Sequence, residues 1–214
     1  MDILFSLFDF IIHIDKHLVD ITAQYGVLTY AILFAIIFAE TGLVFTPFLP
    51  GDSLLFAAGA IAALGSLDVH TLAGLLIAAA IIGDNTNYWI GRYIGPKLCE
   101  KYPRFIKKQY LDKTHAFFEK HGGKTIIIAR FMPIIRTFTP FVAGIGKMDY
   151  RRFVSYDIAG GILWIASFTY MGYFFGNIPI VKSNFVIVVF TIIFISILPG
   201  IIGYLKHRKE GKQA

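Results

Sequence analysis

Two arginines lie within an otherwise apolar stretch and could together bind a phosphate group. Arg130 and Arg136 are both in the segment 125–146. On one continuous helix their spacing would point them in different directions, but Pro133 interrupts the helix between them and lets the guanidinium groups converge. A guanidinium remains charged at physiological pH and holds a phosphate through two parallel hydrogen bonds. The sequence therefore predicts an anion site, most simply for a lipid phosphate.

Carboxylates also occur in or beside apolar segments, among them Glu40 and Asp52. An ionised side chain near the centre of a bilayer costs about 2.5–3.5 kcal/mol. Each such group must therefore pair, stay neutral or face water. We expect these two carboxylates to exchange protons and to compete with a substrate for the arginines. The alternative is a static role, in which they form ion pairs with the arginines and hold the apolar segments together.

Several charged residues in the apolar segments also have simpler, structural interpretations. Asp52 follows a Pro-Gly pair and could begin a helix as its cap. Asp84 stands among small polar residues that hydrogen-bond between helices, and Asp157 could pair with the arginines at 151–152. Arg92, a secondary candidate together with Asp84, could extend to the lipid headgroups or pair with that aspartate.

Composition excludes several classes of protein. The chain has 214 residues, of which 56% are hydrophobic and 16% charged, whereas soluble domains carry about 25% charged residues. Its mean hydropathy is +0.65. A disordered chain and an ordinary cytosolic enzyme are thereby excluded, and a polytopic helical membrane protein is indicated.

Charge and cysteine content narrow the possibilities further. The net charge is +6, and the basic residues after residue 96 are placed as in loops retained on the cytoplasmic face, so we expect no nucleic-acid partner. Cys99 is the single cysteine, which excludes an internal disulfide and a cysteine-based metal site. No hydrolase motif occurs in the sequence. We expect no enzymatic activity, no catalytic residue, no cofactor and no metal.

The elements that must position these residues follow from hydropathy and flanking charge. A spanning helix needs about 20 mainly apolar residues. Three segments qualify as spanning helices: 72–95, 153–176 and 185–204. The basic tail after the last of them should lie in the cytoplasm. The mixed segment 97–121 predicts an amphipathic helix at the cytoplasmic face.

Two further apolar segments contain helix breakers and buried charge. The segments 40–64 and 125–146 are predicted to be re-entrant helical hairpins, because broken backbone at membrane depth is tolerated only against protein or a wet cavity. We expect the hairpin tips to move as gates. The residues that form the gates are Pro47, Pro50, Gly51, Pro133, Pro140 and Gly144.

Short internal similarities suggest that the chain is built from two repeats. Thr46–Gly51 matches Thr139–Gly144, and Gly91–Gly95 is similar to Gly172–Gly176. Each half then contains a re-entrant hairpin followed by a spanning helix, and the two halves have inverted topology. The predicted fold is a single all-α membrane domain over residues 1–214.

Two stretches resemble the signatures of the DedA family. The first reads ETGLVFTPFLPGDSLL from Glu40, and the second reads RFMPIIRTFTPFVAG from Arg130. The similarity covers nearly the whole chain. It implies a multi-pass protein of the bacterial inner membrane with its C-terminus in the cytoplasm, from a superfamily of lipid scramblases and translocases that recycle undecaprenyl phosphate or move phospholipids. The resemblance also carries over Glu40, Asp52, Arg130 and Arg136 as functional residues, and proton-gradient dependence.

The sequence thus favours a proton-coupled flippase for undecaprenyl phosphate or a phospholipid headgroup, with membrane lipids and protons as its partners. The main alternative is a proton-coupled small-ion antiporter without a lipid substrate. An intramembrane lipid phosphatase and a non-transporting scaffold are further alternatives. The sequence leaves open whether the chain forms a homo-oligomer.

Overall fold

The computed structural model describes residues 14–43, 51–101, 123–184, 187–188, 190–192 and 194, and the elements in these ranges are helices. They are α1 (Ile14–Tyr25), α2 (Leu28–Gly42), α3 (Gly51–Ala62), α4 (Val69–Lys101), α5 (Lys124–Ala129), α6 (Pro133–Ile145), α7 (Tyr150–Phe175) and α8 (Pro179–Ser183). Pro47, Pro50, the part of the predicted interfacial helix after Lys101 and most of the predicted segment 185–204 lie outside the described residues.

Two of the helices are long and apolar enough to cross a membrane. They are Val69–Ile94 within α4 and Tyr150–Phe175, each of 26 residues. At 1.5 Å per residue each measures about 39 Å, which exceeds the hydrocarbon thickness of about 30 Å. They coincide with the predicted spans 72–95 and 153–176, so the all-helical membrane class agrees with the sequence.

The segment 125–146 is interrupted in the structure where its sequence predicts. α5 ends at Ala129, and α6 begins at Pro133, which is in its first turn. Proline fits this position because it has no N–H to donate and its φ is already helical. The interruption leaves Arg130 at the C-terminal end of α5 and Arg136 in the first turns of α6.

The described helices group into two compact units. The first unit contains α1, α3, α8 and the part of α7 from Phe168 onward. The second contains α2, α5, α6, α4 from His70 and α7 through Ser167. α3 in the first unit is apolar after Asp52 and Ser53 in its first turn, and all twelve of its residues are buried, as expected for a helix without a polar face.

Glycines bring helices into backbone contact within each unit. In the first unit a Cβ on Gly59 would lie against the carbonyl oxygen of Thr169, and one on Gly172 against that of Phe56. In the second unit the corresponding pairs are Gly91 with the Phe141 carbonyl and Gly144 with the Tyr88 carbonyl. Small residues permit such close approach in membrane helices, where van der Waals packing drives association.

Gly91→Ala is expected to lower the free energy of unfolding by about 1–3 kcal/mol, the usual cost of overpacking. The added methyl would meet the backbone of Phe141 and would have to push α4 and α6 apart. The matched control is Gly74→Ala on α4, where a Cβ meets nothing within 4 Å and alanine improves helix propensity. Unfolding in mixed detergent micelles measures both. Equal loss in the two variants would contradict the close contact.

Candidate functional site

Arg136 forms a buried ion pair with Glu40 in the second unit. Glu40 lies in the last turn of α2, and its Oε1 accepts a hydrogen bond from Nη2 of Arg136. The two side chains are 2% and 1% exposed. The guanidinium carbon also lies 4.2 Å from the ring centroid of Trp164, which adds a cation–π contact. This is the pairing that the static interpretation of the sequence predicts.

Asn87 on α4 fixes the two helices that carry this ion pair. Its Nδ2 donates to the carbonyl oxygen of Thr137 at 2.7 Å on α6 and to that of Thr41 at 3.2 Å on α2. A Cβ on Gly83 would be 3.0 Å from the backbone nitrogen of Gly42, so α2 and α4 are in close contact. The helices that carry Glu40 and Arg136 are therefore held together by their contacts with α4 as well as by the ion pair.

Arg130 has two acidic partners. Its Nη2 donates to Oδ2 of Asp84 on α4 and, at 2.5 Å, to Oδ1 of Asp157 on α7. The arginine side chain is 4% exposed, and the aspartates are 2% and 0% exposed. Gly160 makes room for it, because a Cβ there would lie 3.3 Å from Cδ of Arg130. One nitrogen atom thus joins carboxylates from two membrane-spanning helices.

Both guanidiniums lie in the buried interior of the second unit. The interruption at Pro133 separates the helices that carry them. Their convergence on one phosphate stays a prediction. Nearly complete burial makes every charge in this region depend on its neighbours.

Two charged residues have other partners than the sequence suggested. Asp157 pairs with Arg130 and not with the nearby arginines at 151–152, which are exposed. Arg92 does not pair with Asp84, and its extension to the headgroups stays a prediction. Its Nη1 donates to the Tyr88 hydroxyl at 3.0 Å and to the Met148 carbonyl at 3.3 Å.

Asp52 belongs to the first unit. It lies in the first turn of α3 and is 5% exposed. A carboxylate at this place is favoured by the free N–H groups and the dipole of the helix, which agrees with the prediction that a helix begins here. Its part in proton exchange stays a prediction.

The predicted gate residues that the structure describes lie at helix ends or helix contacts. Gly51 begins α3, Pro133 begins α6, and Pro140 is inside α6. Pro140 has no N–H for the α-helical bond to residue 136. Gly144 packs on the Tyr88 carbonyl. Movement of these residues is untested, and Pro47 and Pro50 are outside the described residues.

Some members of the site were not assigned a role from the sequence. Trp164 follows Asp157 by seven residues, two helical turns, so the two share a face of α7. Asn87 follows Asp84 by three residues on α4. Helical spacing from an intramembrane carboxylate could have indicated both. Among the described residues, no group of three or more histidine, cysteine, aspartate or glutamate side chains could hold a metal.

The fold and the site together define a helical membrane protein with buried ion pairs in its interior. Comparison with known proteins agrees. The model of the VTT domain matches residues 49–174, and the chain belongs to the DedA family, which is characterised by this domain. It is 55% identical to Protein DedA of Escherichia coli strain K12 over 217 aligned residues, covering 100% of this chain and 99% of that protein.

Other relatives are named as membrane proteins. The chain is 47% identical to an uncharacterized membrane protein of Mycobacterium leprae, with 83% of this chain and 82% of that protein covered. It is 34% identical to the inner membrane protein YghB of Escherichia coli strain K12, with 82% and 78% covered. No solved structure gives a significant match.

Proposed function

We propose that this protein is a proton-coupled lipid translocase that carries the headgroup of a phosphate-containing lipid, such as undecaprenyl phosphate or a phospholipid, across the bacterial inner membrane. The observation that carries the proposal is the pair of buried guanidiniums, Arg130 and Arg136, each already bound by carboxylates. Charge inside a membrane protein marks a substrate or ion path by default.

The carboxylates give the proposed site a means of exchange. A phosphate can occupy the same guanidinium nitrogens as a carboxylate, since both offer paired oxygens. In the closed state Glu40 occupies Arg136, and Asp84 and Asp157 occupy Arg130. Entry of a lipid phosphate displaces a carboxylate, which then takes up a proton, and release of the lipid reverses the exchange. Only the headgroup needs this polar path, because the tail stays in the bilayer.

The proposed architecture has two inverted repeats with re-entrant hairpins. The helix contacts within the two units support it. Phe56–Gly59 of α3 packs antiparallel on Thr169–Gly172 of α7, and Phe141–Gly144 of α6 packs antiparallel on Tyr88–Gly91 of α4. Each contact pairs a hairpin helix with a spanning helix through the same spacing of glycine and carbonyl. By these contacts, the position equivalent to Gly144 in the other repeat is Gly59, whereas the sequence similarity aligned Gly144 with Gly51. Gly91 is equivalent to Gly172 by both criteria.

The test is headgroup movement in liposomes that contain purified protein. Fluorescent phospholipid and a polyprenyl phosphate are presented separately, with and without a pH gradient. Arg136→Gln is expected to slow transport about tenfold or more, because a charged hydrogen bond contributes about 1.5–3 kcal/mol. Arg136→Lys should lie between the two, and the exposed Arg151→Gln should match the wild type. Native rates in both Arg130→Gln and Arg136→Gln would contradict the proposal.

The same vesicles distinguish the alternatives. Proton or cation flux in vesicles without a phosphate monoester lipid, together with unmoved headgroups, indicates a small-ion antiporter. Release of inorganic phosphate indicates a phosphatase. Full function in cells of Glu40→Gln/Arg136→Gln, a variant without the buried ion pair, indicates a scaffold. Protease protection of a tag placed after Ala214 tests the proposed cytoplasmic C-terminus.

A further inference from the structure

Asp84, Arg130 and Asp157 form a buried triad with more negative than positive charge. Two carboxylates share a single guanidinium nitrogen, and the three side chains are at most 4% exposed. Oxygens that bind the same nitrogen can be no further apart than two hydrogen-bond lengths, about 6 Å. If both aspartates were ionised, the triad would carry one uncompensated negative charge in an apolar interior.

Among the described residues, the neighbouring charges do not remove this imbalance. Arg136 on α6 is a further buried cation in the same unit, and it is paired with Glu40 on α2. That pair is neutral as a whole. The cluster of triad and ion pair therefore contains three carboxyl groups and two guanidiniums. Lys124 on α5 is exposed to solvent.

The triad also leaves hydrogen-bonding capacity unused. Oδ1 of Asp84, Oδ2 of Asp157 and Nη1 of Arg130 are buried and have no hydrogen-bond partner among the described residues. An ionised carboxylate can only accept, so two of them side by side offer no donor to each other. One proton converts the pair into a donor and an acceptor, and both carboxyls lie against the same guanidinium nitrogen.

We propose that the triad is a proton-binding site, in which Asp84 and Asp157 share one proton beside the Arg130 guanidinium at neutral pH. A proton is favoured over a metal cation because the guanidinium already occupies the centre of the site. Two aspartates that cannot both ionise close together are a known arrangement in proteins. Protonation forms one O–H bond on a carboxylate oxygen and breaks one O–H bond of a hydronium ion from the solvent, which becomes water.

One consequence of the triad rests on the proposed function, because it concerns the coupling of lipid binding to proton uptake. A phosphate that binds Arg130 must displace a carboxylate, and the displaced carboxylate then needs a second proton. Lipid binding at Arg130 is thereby linked to proton uptake at Asp84 and Asp157. Proton binding in the resting protein does not depend on transport, so the two can fail separately.

Infrared spectroscopy of the purified full-length chain tests the resting site. In a detergent without ester groups, the C=O stretch of a protonated carboxyl is separate from carboxylate bands and shifts in D₂O. The wild type is expected to show this band at neutral pH. Asp84→Asn and Asp157→Asn should each lose it, because one ionised aspartate then balances Arg130. Asp149→Asn is the control, since Asp149 is exposed and binds the backbone N–H of Arg152.

Every outcome decides the proposal. A wild type without the band, or a band of undiminished intensity in either single variant, overturns it. A band that appears only when Na⁺ is replaced by choline shows that the carboxylates hold sodium instead, which also overturns it. Both single variants should fold about as well as the wild type, because each keeps the triad neutral without a bound proton. If neither variant folded, the inference that one ionised aspartate balances Arg130 would be wrong.

Discussion

Arg136→Gln is expected to lower the free energy of unfolding by about 3–5 kcal/mol, the usual cost of removing one partner from a buried ion pair. The substitution leaves the buried carboxylate of Glu40 without its guanidinium in an apolar region. The cation–π contact with Trp164 is lost as well. Equilibrium unfolding in mixed micelles, followed by circular dichroism, measures the change.

The double variant Glu40→Gln/Arg136→Gln should recover most of that stability, because neutral amides replace a charged pair and no buried charge remains uncompensated. Transport should stay lost, since an amide cannot bind a phosphate as a guanidinium does. This separates folding from function. Additive losses from Glu40→Gln and Arg136→Gln would show that the two side chains are not coupled, against the observed contact.

Arg130→Gln is expected to be at least as damaging at neutral pH, by about 3–5 kcal/mol. It removes the cation that Asp84 and Asp157 share, so two carboxyl groups then face each other without a guanidinium. The variant should regain stability as the pH is lowered, because protonation neutralises both groups. The measurement is unfolding at neutral and acidic pH, with Arg151→Gln as the exposed control.

Removing all three charges provides the matched comparison. Asp84→Asn/Arg130→Gln/Asp157→Asn should be more stable than Arg130→Gln alone and should lose its pH response. A triple variant that is no more stable than Arg130→Gln would mean that packing around Arg130, for instance against Gly160, dominates over charge. Transport should be absent in the triple variant.

The approximate positions of several helices could be predicted from short stretches of the sequence. The predicted span 72–95 lies within α4, and the predicted span 153–176 overlaps nearly all of α7. An apolar run of this length satisfies its backbone hydrogen bonds in a membrane by forming a helix. The interruption between Arg130 and Arg136 follows from Pro133, which cannot sit in a helix interior without removing a hydrogen bond. Both results depend on neighbouring residues in the sequence.

Partners of the buried charges could not be predicted in this way. Asp157 has Arg151 and Arg152 within two turns of its own helix, yet it binds Arg130. The choice depends on which face of α7 is buried, and the glycines at 160–161 leave space there for the arginine. Arg92 likewise binds Tyr88 and the Met148 carbonyl because the turn before α7 brings that carbonyl to it.

The residues alone indicate a helical membrane protein of a recognisable family with charge in its interior, because hydropathy and helix breakers act over a few neighbouring positions. Which charges meet is visible only in the folded chain: Glu40 with Arg136, and Asp84 and Asp157 on one nitrogen of Arg130. Those pairings join residues 27–96 positions apart. They arise from the packing of helix faces, and local propensity contains no information about that packing.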